Sequence, residues 1–105
     1  MTQRLFSLSD LTEGQCLSFP YGSERGFAVL KDGQLYTYLN RCPHLHIPLE
    51  WQENQFLDDE GELIQCSTHG ALFLIDTGDC IAGPCVGDQL EPIPVRIANN
   101  DVFAA

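Results

Sequence analysis

Two short segments each bring a cysteine and a histidine within a few residues of one another: Cys42-Pro43-His44 and Cys66-Ser67-Thr68-His69. The spacings are C-x-H and C-x-x-H, with 21 residues between His44 and Cys66. Two thiolates and two neutral imidazoles fill a tetrahedral zinc site. The same four donors also hold a two-iron, two-sulfide cluster, with both cysteines on one iron and both histidines on the other. Donor type alone leaves both centres open.

Either centre requires that the intervening chain fold back and present the two segments side by side. The sequence is built for that out of short strands. "GFAVLK" and "QLYTYLN" flank Asp32-Gly33, a pair suited to a type I′ hairpin turn because both central residues there need positive φ. "QFLDDEGELIQC" reads as a second hairpin turning between Asp59 and Gly61, and "ALFLID" runs into the turn "TGDC". The chain closes with "IPVRI", Asn99-Asn100 and "DVFAA". Helical periodicity is confined to one turn around "SLSDLTEG", with Ser9 or Asp10 as its cap. About eight to ten strands at this spacing predict an all-β antiparallel sandwich or small barrel. Both Cys/His segments fall in loops, each after a strand.

The length of 105 residues corresponds to a single domain over 1–105, able to bury roughly 60–70% of the surface its unfolded chain exposes. Such a core needs no staple, which counts against a purely structural zinc. No leader-like apolar stretch opens the chain and no run approaches the ~18 apolar residues of a membrane span, so the expectation is a cytoplasmic protein with no membrane partner. Fifteen acidic residues against five basic ones give a formal charge of −10. Phosphate backbones would be repelled, which excludes nucleic acid as a partner, and a partner with a basic docking surface is favoured. The five cysteines are odd in number and poorly suited to a disulfide framework. Cys16, in the strand pattern "QCLSF", reads as a small buried hydrophobe, and Cys80 and Cys85, flanking Gly83-Pro84, as reduced thiols in a reducing compartment. Trp51 and Phe56 are expected to pack in the long hairpin or core.

From about Phe27 onward the chain resembles the Rieske family, specifically its soluble ferredoxins. "CPHLHIPL" is similar to the family's first ligand loop, "CSTHGALFLIDTG" to the second, and Gly83-Pro84 to the proline-containing loop that covers the cluster. The resemblance implies a [2Fe-2S] cofactor in a cluster-binding subdomain at roughly 41–85, with Cys42 and Cys66 on the inner iron and His44 and His69 on the outer one. His46, two residues beyond His44, is then a loop residue near the cluster. The 21-residue interval is several residues longer than usual in the family, through the hairpin "WQENQFLDDEGELIQ", and a lengthened hairpin costs little loop entropy.

The implied function is one-electron transfer, from a flavin-containing reductase to a terminal enzyme such as a ring-hydroxylating oxygenase, by a monomeric carrier that transforms no substrate. Catalysis as an oxygenase fails by counting: its mononuclear iron needs two further histidines and a carboxylate, and only His46 of three remains. The alternative is an accessory subunit of a larger oxidoreductase, similar to the small subunit of nitrite reductase. Where the respiratory Rieske proteins carry an extra disulfide-forming cysteine in each loop, this chain has Ile47 and Thr68; where they carry hydroxyls donating to the cluster sulfurs, it has Ala71 and Phe73. Fewer donors imply a potential near the low end of the range, roughly −150 mV.

Overall fold

The computed structural model describes residues 3–41, 43, 49, 56–58, 60–66 and 70–105. Among the described residues nine strands run in chain order: β1 (Arg4–Ser7), β2 (Cys16–Tyr21), β3 (Glu24–Lys31), β4 (Gln34–Leu39), β5 (Leu63–Gln65), β6 (Leu72–Leu74), β7 (Cys80–Ala82), β8 (Val95–Ala98) and β9 (Asp101–Ala104). They form three antiparallel three-stranded sheets, ordered β1-β9-β8, β2-β3-β4 and β5-β6-β7. Among the described residues there is no α-helix, and no helix is long and apolar enough to cross a membrane. The all-β expectation holds.

Turn chemistry explains the hairpins. Lys31 pairs with Gln34 around Asp32-Gly33, at φ 53° and 76°, and Ala98 pairs with Asp101 around Asn99-Asn100, at φ 51° and 68°. Both are two-residue turns with positive φ at each centre, the geometry whose twist matches paired strands. The Glu13 carboxylate accepts the turn amides of Asp32 (2.6 Å) and Gly33 (3.0 Å), which holds its pKa below the usual value. A third tight turn, Gly22-Ser23, joins β2 to β3. The helical turn among the described residues is 3-10, Leu8–Asp10, and its cap is Ser7, whose hydroxyl accepts from the Ser9 amide. Ser9 and Asp10, the expected caps, lie inside the turn. It is too short for the spacing rules of longer helices to apply.

The middle sheet separates two cores. Successive β3 residues Phe27, Ala28 and Val29 are each fully buried, with Phe27 and Val29 in one cluster and Ala28 in the other. Alternate side chains on a strand point to opposite faces, so a strand with a core on each side is a continuous apolar run rather than an alternation. One core joins Phe19, Ala28 and Leu39 to Leu5, Phe6 and Val102 of the terminal sheet. The other joins Phe27, Val29 and Tyr38 to Phe56, Ile64, Phe73 and Cys80. Phe27 and Phe56 stack with centroids 4.2 Å apart, so Phe56 packs in the core as expected. Each such aromatic contributes about 1.5–3 kcal/mol by burial. Trp51 lies outside the described residues.

Candidate metal centre

The second Cys/His segment is the loop of the β5–β6 hairpin, whose closing pair is Gln65 with Leu72. Cys66 follows β5 directly and is fully buried. Its amide donates to the Ala71 carbonyl at 2.8 Å, and its carbonyl accepts from Gly70 at 2.9 Å. Gly70 adopts φ 68°, a left-handed conformation that costs an L-residue about 1–2 kcal/mol. The loop is thus tied at its base, and Cys66 is sealed from water among Ala71, Phe73 and Cys85. A buried thiol followed three residues later by histidine suits a metal ligand better than a surface-reactive cysteine.

Behind this loop sits the turn after β7. A Cβ on Gly83 would lie 2.8 Å from the Ala71 Cα and 3.3 Å from its nitrogen. Only the missing side chain lets the two backbones meet. The Gly83-Pro84 turn therefore backs the Cys66 loop, as its order in the sequence implies. On either side of it Ile81 (49%) and Val86 (62%) are among the most exposed large apolar residues described.

Asn40 stands immediately after β4, two residues before Cys42 in the sequence. Its side-chain oxygen accepts from the Leu49 amide at 2.8 Å, while its own amide donates to the Arg25 carbonyl at 2.9 Å. Sequence reasoning missed Asn40. The available signal was an asparagine between a strand and C-P-H, where its side chain replaces a backbone partner. Pro43 lines a cleft of about 360 Å³ with Leu39, Arg41, Gly87, Asp88, Gln89 and Glu91.

Of the four expected ligands, Cys66 is described; Cys42, His44 and His69 lie outside the described residues, as do His46, Ile47 and Thr68. Among the described residues no group of three or more His, Cys, Asp or Glu is gathered as a metal site. Two thiols and two imidazoles remain a donor set that fits a [2Fe-2S] centre. Ala71 and Phe73 are both fully buried and bring no hydroxyl to this region.

The cations are engaged away from this loop base. Arg4 pairs with Asp101 at 3.1 Å, Lys31 with Glu62 at 3.6 Å, and Arg41 with Glu24. Arg25 donates to Ser18, and Arg96 lies over the Phe103 ring. The excess of carboxylates sets the outer field. Burial pushes the Cys16 thiol up to about 12, a backbone hydrogen bond with Phe56 partly opposing it, in keeping with an inert core residue.

Comparison with known proteins agrees with this geometry. The biphenyl dioxygenase ferredoxin subunit of Pseudomonas sp. (strain KKS102) is 26% identical over 99 residues, covering 92% of this chain and 84% of that protein. The biphenyl 2,3-dioxygenase ferredoxin component of Rhodococcus jostii (strain RHA1) is 28% identical over 102 residues, covering 95% and 88%. The solved Sphingomonas yanoikuyae B1 ferredoxin superposes with a TM-score of 0.80 at 25% identity, covering 99% of this chain and 97% of that one. The model of the Rieske [2Fe-2S] domain matches residues 2–97. The chain therefore belongs to the Rieske [2Fe-2S] domain family, whose cofactor is a [2Fe-2S] cluster.

Proposed function

We propose that this protein is a one-electron carrier, and that Cys42, His44, Cys66 and His69 hold its cluster within a single domain over 1–105, the cluster-binding part spanning roughly 41–85. The observation that supports this most directly is the tied Cys66 loop: buried at its base, closed by Ala71 and backed by Gly83. The cluster, when bound, accepts and returns one electron. The chain holds Cys66 on the apolar core side and excludes water there. His44 and His69 would supply the two neutral imidazoles, which raise the potential of the iron they bind. Ala71 and Phe73 offer the cluster sulfurs no hydroxyl, which keeps the potential low.

Relatives named as ferredoxin components of biphenyl dioxygenases support a ring-hydroxylating oxygenase as acceptor; a flavin-containing reductase as donor is what the resemblance to the soluble ferredoxins implies. With a formal charge of −10, the carrier meets basic docking surfaces on both, works as a monomer and operates in the cytoplasm. Low-temperature electron paramagnetic resonance of the purified protein tests the reading. A rhombic signal appearing only after dithionite is expected, and its loss in His69→Ala with the fold retained assigns that ligand. A sample holding zinc and no iron refutes it.

A further inference from the structure

Two further described cysteines are not among the four expected ligands. Cys80 opens β7, and Cys85 ends the turn that follows it. Both are buried, at 6% and 2% exposure, in the same core as Cys66. Their sulfurs are 3.0 Å apart. A disulfide bond measures about 2.05 Å, so an approach of about 1 Å would join them.

The backbone holds the pair in place. The Cys80 amide donates to the Asp88 carbonyl at 3.0 Å, and the Asp88 amide donates to the Cys85 carbonyl at 2.9 Å. One residue thus fixes both cysteines. Gly83, at φ 97°, makes the reversal that brings the second sulfur back to the first. Cys80 Sγ donates to the Ala82 carbonyl at 3.2 Å, within the same turn. Positioning of this kind makes ring closure effectively unimolecular.

We propose that Cys80 and Cys85 form a reversible dithiol–disulfide couple in the turn that backs the Cys66 loop. The co-reactant is a low-molecular-weight disulfide such as oxidised glutathione. Cys80, the more exposed of the two, loses its proton and attacks one sulfur. The glutathione S–S bond breaks, a mixed disulfide forms, and one glutathione leaves, taking up a proton. Cys85 then displaces the second glutathione, which leaves as a thiol with the proton Cys85 gave up. In sum the protein is oxidised by two electrons and two protons, and one glutathione disulfide is reduced to two thiols. Closure fixes the Gly83 turn against Ala71, whose carbonyl holds the Cys66 amide. In a reducing compartment the pair stays as thiols, and a shift toward oxidised glutathione closes it.

The test is a glutathione redox titration of the holoprotein under anaerobic conditions, quenched with acid and an alkylating agent and read by intact mass and peptide mapping. The expected result is loss of two hydrogen atoms, a cross-linked peptide holding positions 80 and 85, and full reversal by dithiothreitol. Cys80→Ser and Cys85→Ala each abolish the cross-link. Retention of both thiols in oxidised glutathione alone, stable glutathione adducts without cross-linking, or a bridge to Cys16 overturns the proposal. The mass readout does not depend on iron content, so it stays decisive whether or not the electron-carrier reading holds.

Discussion

Gly83 offers a quantitative test of how the centre is supported. Replacing it with alanine introduces two separate costs. The residue sits at φ 97°, and a side chain in that region costs about 1–3 kcal/mol. The new Cβ also meets the Ala71 Cα at 2.8 Å, and because that neighbour is backbone it cannot rotate away. Overpacking of this kind costs about 1–3 kcal/mol more. Gly87 provides the control, since its φ of 101° is nearly the same and nothing lies within 4 Å of its virtual Cβ. Gly87→Ala should therefore show the strain alone, and the difference between the two variants isolates the contact. A difference of about 1–3 kcal/mol corresponds to a melting temperature lower by at least about 4 °C in Gly83→Ala. Circular dichroism melts of both variants measure it, and visible absorbance should show the cluster lost earlier in Gly83→Ala. Equal melting temperatures and equal cluster retention would refute the claim that this turn supports the Cys66 loop.

Asn40→Ala leaves the Leu49 amide without its acceptor and should cost about 1–3 kcal/mol in urea unfolding; Asn40→Asp, which keeps an acceptor oxygen, should recover most of it. Raising the pH should destabilise the fold from about pH 9, because the unfolded Cys16 thiol ionises near its ordinary value of 9.0 while the folded one stays neutral to about 12. The unfolded state then binds fewer protons, so stability falls by up to about 1.4 kcal/mol per pH unit across that window; Cys16→Ala should flatten the slope, and an unchanged slope counts against it. Ala71→Ser with Phe73→Tyr returns two hydroxyls near the Cys66 loop and should raise the midpoint potential from roughly −150 mV, in a spectroelectrochemical titration; no rise means these positions do not reach the cluster sulfurs. Electron transfer to the acceptor should slow as salt rises, since exposed charges are screened beyond about 8 Å at physiological ionic strength, and stopped-flow rates indifferent to salt would remove the case for basic docking surfaces.

The sequence was most legible where a local rule decides the structure. Asp32-Gly33 and Asn99-Asn100 announce their turns because two consecutive positive φ values admit few residue pairs, and both pairs turn where expected. Pro94 explains why the β8–β9 ladder of "IPVRI" starts at Val95: it has no N–H to give, although its carbonyl accepts from Ala105, and Ile93 before it donates to the Thr37 carbonyl instead. The approach of the third loop to the second was also readable, since Gly83 does lie against Ala71 after Cys66, while the first loop lies outside the described residues. What escaped was long-range. Nothing local to Arg4–Ser7 says that it pairs with Asp101–Ala104, and nothing local to Asn40 says that its side chain reaches Leu49. Ser7 caps the 3-10 turn because the turn is three residues long and ends before a helical pattern can develop.

The two-core arrangement divides the labour of the molecule. Leu5, Phe6, Phe19 and Val102 bind the terminal sheet to one face of the middle sheet, with no share in the cluster that holds Cys66. Phe27, Phe56, Ile64 and Phe73 lie on the other face and pack with Cys66, Ala71, Cys80 and Cys85 as one body. Interiors packed at crystal-like density transmit a volume change to whatever touches it. A cavity cut at Val102 should therefore lower stability while leaving the properties of the centre alone. A cavity of similar size at Ile64 removes support within two residues of Cys66, where a loss of stability and a change in the centre must appear together. The β3 run Phe27-Ala28-Val29 is the partition between these two effects, because its alternate side chains serve different cores. Substitution of Ala28 by a larger residue is thus a change in the terminal core, even though both of its chain neighbours belong to the core of the metal centre.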